Sequence, residues 1–349
     1  MDSIMPSLLV KRSSAADNLL LFLVTAAASV LLTRLFLFVF DYPSIGGTHF
    51  HIAHAIFGGA LLTASYLLLL CFHGRRVRQL TAVLAGLGFG QFIDEIGKFI
   101  TRDNNYFYQP VPVIIYVCFI MMFFAYRRLE QYTLKDPREL AYDLIEKLED
   151  LADNKFFHQN RAEIKETISK ILMAPKSSYQ YFAHGVNQLI EAIPTRMNPR
   201  PHRIATRIRS SWKWLDDFSS ERRPVFYGMI GIFLVYVGLT FWTMTTFIYR
   251  VSQDTLNPAL LGFNSRIDWA VYLAELSSQV VSALWMCQGF VKLVRRQRRK
   301  ALVLFKNGIA INILITHVFA FYIEQFSAAI SLSIMLILFV LVENILDEE

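Results

Sequence analysis

The sequence predicts an all-α fold, a polytopic membrane helical bundle of about eight transmembrane helices carrying a cytoplasmic helical insert. Three observations carry that prediction. The 349 residues are 54% hydrophobic and 18% charged, with a mean hydropathy of +0.37, which leaves too little polar surface for a soluble chain of this length. Runs of about 20 mostly apolar residues, each long enough to cross a hydrocarbon layer, recur toward both ends of the chain. Between the two sets lies a charged stretch of roughly a hundred residues, the size of a small domain. The implied organisation is a first transmembrane four-helix unit at 1–126, the insert at 127–223 and a second four-helix unit at 224–349.

The apolar runs fall near 19–40, 51–72, 79–100, 111–126, 225–248, 269–292, 302–323 and 326–346. The string "TAAAS" at 25–29 in the first run raises the question of a cleaved signal, but apolar character continues through "LFLFVF", as an uncleaved span requires. The fourth run begins at "QPVPV", so Pro110 and Pro112 belong to a first helical turn, where a missing N–H is harmless. The strongly basic connections are "HGRRVRQ", "YRRLEQ" and "KLVRRQRRKALVLFK", all on one side. Short basic loops stay in the cytoplasm, so both termini are expected there. The net charge of +7 then reflects topology and anionic lipid at the cytoplasmic face of the bilayer, with no call for nucleic acid. Cys71, Cys118 and Cys287 are isolated within spans, which excludes a disulfide framework.

In the insert, Asp136 is placed as an N-cap with Pro137 at the first helical position, and Leu140, Leu144, Leu148 and Leu151 share one stripe. Ile164, Ile168 and Ile171 repeat the pattern. After Pro175, Pro194, Pro199 and Pro201, a helix bearing Ile204, Ile208, Trp212 and Leu215 among Arg203, Arg207, Arg209 and Lys213 reads equally as lying on an anionic membrane or as packed on the bundle. The segments 73–100 and 294–323 share an order of basic turn, apolar ascent and outer polar residue, aligning Asp94 with His317 as in a parallel repeat of two four-helix units.

Candidate chemistry gathers at "GGTHFHIAHAIFGGALL". His51 and His54 lie one turn apart on a helix face continued by Gly58, with His49 in the loop or turned away. The third span supplies Gly86, Gly90, Asp94, Gly97 and Thr101 along one side, widened by Gln91, Glu95 and Lys98. Gly58 with Gly86 and Gly90 is expected to let the second and third spans approach closely. Asp94 and Lys98, four apart, are placed to neutralise one another, and Arg34, Glu275, His317 and Glu324 fall toward the same outer side. Neutral imidazoles with carboxylates suit zinc or iron, so His51, His54, Asp94 and Glu95 form a candidate divalent-metal set, with His49 and His317 as further candidates. Asp94 or Glu95 is the candidate general base for a metal-activated water. The bland alternative is a hydrogen-bonded polar cluster that orders the helices.

The string "HxHxxHxxxGGxLL" followed by "FIDEIGKFITRDNNYFYQP", within residues 46–126, resembles a pattern in uncharacterised bacterial multi-pass inner-membrane proteins. The resemblance implies a bacterial inner-membrane location and no particular activity. Three function classes stay open: transport of an ion or small solute, a metal-dependent membrane enzyme acting on a lipid or periplasmic substrate, and a membrane-anchored interaction protein, each compatible with a homo-oligomer. The inner halves of the spans carry few charges, which weakens a continuous ion path.

Overall fold

The computed structural model of the protein describes residues 10–40, 53–103, 105, 108–132, 136–152, 158–174, 178–194, 222–252 and 266–348, and all of its regular structure is helical. Seven helices are long and apolar enough to cross a membrane, as an integral membrane protein requires: Ala15–Val39, His54–Cys71, Val111–Glu130, Phe226–Ser252, Arg266–Val294, Arg298–Ile323 and Gln325–Leu346. The run expected as a third span differs. It forms α3 (Arg75–Asp94), which opens with three arginines and ends in an acid, so it is less apolar than the other seven. A turn at Glu95 breaks it from the short α4 (Ile96–Ile100).

The chain divides into two compact units, Met1–Tyr106 with Phe119–Pro201, and Phe107–Cys118 with His202–Glu349. In the first, α3 packs along both α1 (Ala15–Val39) and α2 (His54–Cys71). The string "GLGFG" explains how. Successive α-helical positions turn by 100°, so Gly86 and Gly90 share a face and Gly88 lies opposite. A Cβ on Gly86 would meet the Phe22 carbonyl oxygen at 2.5 Å, and one on Gly90 would meet the Ala26 carbonyl at 2.5 Å, both on α1. A Cβ on Gly88 would meet the Gly58 carbonyl of α2 at 2.7 Å. The expected contact of Gly86 and Gly90 with α2 is thus corrected: they seat α1, and Gly88 with Gly58 seats α2. Ser29 reinforces the first contact by donating to the Leu87 carbonyl at 2.9 Å.

Helix α5 (Val111–Glu130) starts beside Pro110 and has Pro112 in its first turn. Helices α6 (Pro137–Ala152), α7 (His158–Met173) and α8 (Ser178–Ala192) form a small bundle whose core is Leu140, Leu144, Ile164, Ile168, Ile171, Ala183, Val186 and Ile190, with Leu148 packed against it. The two stripes expected from periodicity therefore face one another, and α8 closes them. The Asp136 carboxylate accepts the Arg138 amide at 2.9 Å, which is the predicted cap. Arg161 donates to the carbonyls of Ile190 and Ile193 just past the bundle, satisfying the free end of α8. The Leu151 side chain and the basic segment with Ile204 and Trp212 lie outside the described residues.

The second unit contains α9 (Arg222–Ser252), α10 (Arg266–Val294), α11 (Arg298–Ile311), α12 (His317–Ile323) and α13 (Ala328–Glu348). Phe233 and Phe305 stack at 4.9 Å, and Met229, Met286, Leu302 and Ile309 are likewise buried in this unit. A tight turn joins α10 to α11. Gln297 N–H reaches the Lys292 carbonyl and Arg296 N–H the Leu293 carbonyl, with Arg296 in the left-handed region at φ 57°. Between α11 and α12 the backbone widens into a single π-helical turn, Asn312–Thr316.

Candidate functional site

The two faces of α3 converge at its end on five ionisable side chains within the first unit. Asp94 is the last residue of the face that seats α1, and Arg34 of α1 meets it: Nε donates to Asp94 Oδ1 at 2.5 Å and the guanidinium reaches the Asp94 carbonyl at 3.2 Å. Glu95 occupies the turn that follows. One of its carboxylate oxygens accepts the Ala55 amide at 2.9 Å, and the other accepts Lys98 Nζ at 2.6 Å. Helix α2 begins after Ala53, which has no capping side chain, so Glu95 supplies from a neighbouring helix the anion that its N-terminal amides lack. His54, the first residue of α2, lies between the two acids. Its Nε2 is 3.1 Å from Asp94 Oδ2 and its Nδ1 is 3.3 Å from Glu95 Oε1.

Burial makes these contacts strong. Asp94 is 0% and Glu95 1% exposed, and charges removed from water are tolerated only when paired and hydrogen-bonded. Arg34 and Lys98 balance the two carboxylates, so the cluster is neutral when the ring is neutral. The pairing differs from the expected one. Lys98 does not neutralise Asp94, because the helix breaks at Glu95 and the i, i+4 register is lost; Lys98 closes on Glu95 and leaves Asp94 to Arg34.

The structure thus brings together three of the sequence-predicted residues, His54, Asp94 and Glu95. His49 and His51 lie outside the described residues. His317 belongs to the second unit, where its Nδ1 is 3.1 Å from the Asn312 carbonyl and its Nε2 is 3.2 Å from Ser331 Oγ. Among the described residues no group of three or more His, Cys, Asp and Glu side chains is arranged to hold a metal ion. The acids face arginine, lysine and a backbone amide, and an ion seated on them would have to displace those donors.

Arg34 completes the cluster; the sequence placed it toward the same outer side but did not name it as the partner of Asp94. A second ionic contact left no sequence signal beyond opposite charges far apart in the chain. Arg78, in the first turn of α3 and largely buried, bonds Glu146 at 3.0 Å and Glu149 at 2.8 Å, both on α6. Ser14, just before α1, also donates to Glu146. The helical bundle is therefore fastened to the starts of α1 and α3 by buried hydrogen-bonded charge, at the opposite end of α3 from the His54 cluster. Compared with models of protein families, with curated proteins and with solved structures, the chain shows no match.

Proposed function

We propose that the protein is an eight-span integral membrane protein of the bacterial inner membrane that moves an ion or small solute, with the His54 cluster as the ionisable site at the outer end of the first unit. One observation carries the reading: two wholly buried acids, two bases and an imidazole meet at the ends of three apolar-packed helices. Ionisable groups at membrane depth are expensive and mark ion or substrate pathways. Helix α3 is the eighth span in this reading, supported by its glycine contacts with two apolar helices along its length. Basic turns then place both termini and residues 127–223 in the cytoplasm. The repeat gains support from position: α3 breaks after Asp94, and the segment aligned with it widens into a π turn before His317.

Flux into proteoliposomes of the full-length protein tests the reading, with protons, sodium and small organic cations offered in turn. Wild-type protein should carry one of them, and Asp94→Asn and His54→Gln should slow it. Wild-type vesicles no leakier than empty ones sink the proposal. Stoichiometric zinc or iron in protein purified without chelator, lost in His54→Ala, would replace it with the metal-dependent enzyme. A reporter fused at Ser177 should report from the cytoplasm, and an external signal there overturns the topology.

The Arg78 contact favours a second reading for the bundle itself. A module fastened by charge to the base of α1 and α3 is placed to transmit the binding of a cytoplasmic partner to the spans.

A further inference from the structure

The second unit contains polar groups that the His54 cluster does not involve. On α10, Glu275, Ser278, Gln279 and Ser282 share one face, spaced at three, four and seven residues. Two hydrogen bonds fix the register of this helix against the antiparallel α11–α12 segment: Ser282 donates to the Gly308 carbonyl at 2.9 Å, and the Tyr322 hydroxyl meets Asp268 at 3.5 Å. That register sets Ser278 level with Asn312 and Glu275 level with Thr316. Gly308, Asn312 and Thr316 recur every fourth residue, so the face that touches Ser282 carries the other two toward α10 as well. From α9, the Tyr236 hydroxyl accepts the Asn312 side-chain amide at 2.8 Å and lies near enough to Glu275 for their charges to interact.

Two of these oxygens have no hydrogen-bond partner among the described residues. Asn312 and Thr316 are 2% and 3% exposed, yet Asn312 Oδ1 and Thr316 Oγ1 are buried without a hydrogen-bond partner. A buried polar atom left unpaired costs about 1–3 kcal/mol, so two in one turn ask for something to satisfy them. Glu275 is buried too, and its carboxylate accepts only from Gln279, at 3.0 Å, with no cation beside it among the described residues. Glu324 adds negative potential from nearby. The backbone between Asn312 and Thr316 is the π turn, a deviation that recurs at functional sites.

A buried carboxylate beside two buried oxygens that lack hydrogen-bond partners, in an apolar bundle, suits a hard cation. One buried carboxylate balances one positive charge, which selects a monovalent ion over calcium or magnesium. We propose that Glu275, Asn312 Oδ1, Thr316 Oγ1 and the Tyr236 hydroxyl bind a monovalent alkali cation of the size and hardness of sodium. This site stands on the second unit alone, so it survives or fails independently of the His54 cluster.

Radioactive sodium binding to the full-length protein in detergent, at constant ionic strength held with choline chloride, tests it. Wild type should bind close to one sodium per chain, saturably, and sodium should raise the unfolding midpoint where choline does not. Glu275→Gln and the isosteric Thr316→Val should each weaken binding at least about tenfold. Glu191→Gln, an exposed acid on α8, should leave binding unchanged. Thr316→Val removes a hydroxyl without changing shape, so it reads the site even where Glu275→Gln fails to fold. No saturable sodium binding by wild type, or full binding by folded Thr316→Val and Glu275→Gln, overturns the proposal.

Discussion

Replacing Arg34 with methionine should be among the most damaging single changes in the first unit. Asp94 is wholly buried, and Arg34 supplies both its shortest ionic contact and a bond to its carbonyl. Breaking a buried ion pair from one side leaves an uncompensated charge and costs about 3–5 kcal/mol. Asp94→Asn should cost less, about 2 kcal/mol, because the Arg34 side chain is 16% exposed and can still bond the Asp94 carbonyl. The double variant Arg34→Met with Asp94→Asn should be less unstable than Arg34→Met plus Asp94→Asn taken separately, by about 2 kcal/mol, within the range found for contacting side chains. Equilibrium unfolding in mixed micelles of mild detergent and dodecyl sulfate, followed by far-ultraviolet circular dichroism, gives all four free energies of the cycle. Effects that add to within about 0.5 kcal/mol would show that the two charges do not stabilise one another.

Three further outcomes follow from the packing. Gly88→Ala sets a methyl 2.7 Å from the Gly58 carbonyl and 2.9 Å from the Leu62 amide, both rigid backbone, and should cost about 1–3 kcal/mol by parting α2 from α3. Gly59→Ala, which meets open space one residue from Gly58, should be tolerated in the same unfolding assay, and equal damage from both would discredit the contact. Arg78→Met removes the guanidinium that bonds Glu146 and Glu149 and leaves Glu146 the more distant cation of Arg12 at 3.9 Å, so hydrogen exchange in α6 should accelerate while α2 and α3 keep their protection; unchanged exchange in α6 argues against the fastening. Arg296→Gly relieves a non-glycine residue at φ 57° and should stabilise the second unit by about 1 kcal/mol, and a lower unfolding midpoint would refute that.

The class of the fold was legible because apolar length and charge spacing are local properties. The Leu140–Leu144 and Ile164–Ile171 stripes could be read for the same reason: a helix period of 3.6 residues writes its buried face directly into the sequence. The cluster was legible in part. Asp94 and Glu95 stand out as acids in an apolar run, but their partners depend on where the helix breaks, and no proline at Glu95 announces that break. One displaced turn moved Lys98 from Asp94 to Glu95 and left Arg34 as the counterion. The glycines misled in direction for a related reason. Composition announces that a helix will be approached closely, while the side that is approached depends on which neighbour arrives there. Asn312 and Thr316 gave no warning, since a single asparagine or threonine in a span usually bonds its own backbone.

Helix α3 has a consequence for how the chain is made. With Arg75, Arg76 and Arg78 at one end and Asp94 at the other, it is a helix poorly able to partition into lipid alone as it leaves the ribosome. Its glycines remove the side chains that would have paid lipid the most, and they are useful only once α1 and α2 are already there to receive them. A nascent chain stalled before α3 emerges should therefore hold its first two helices loosely, and α3 should enter as the late partner of a waiting pair. Insertion of α3 fused to a neutral carrier should fail, and the same segment behind α1 and α2 should succeed.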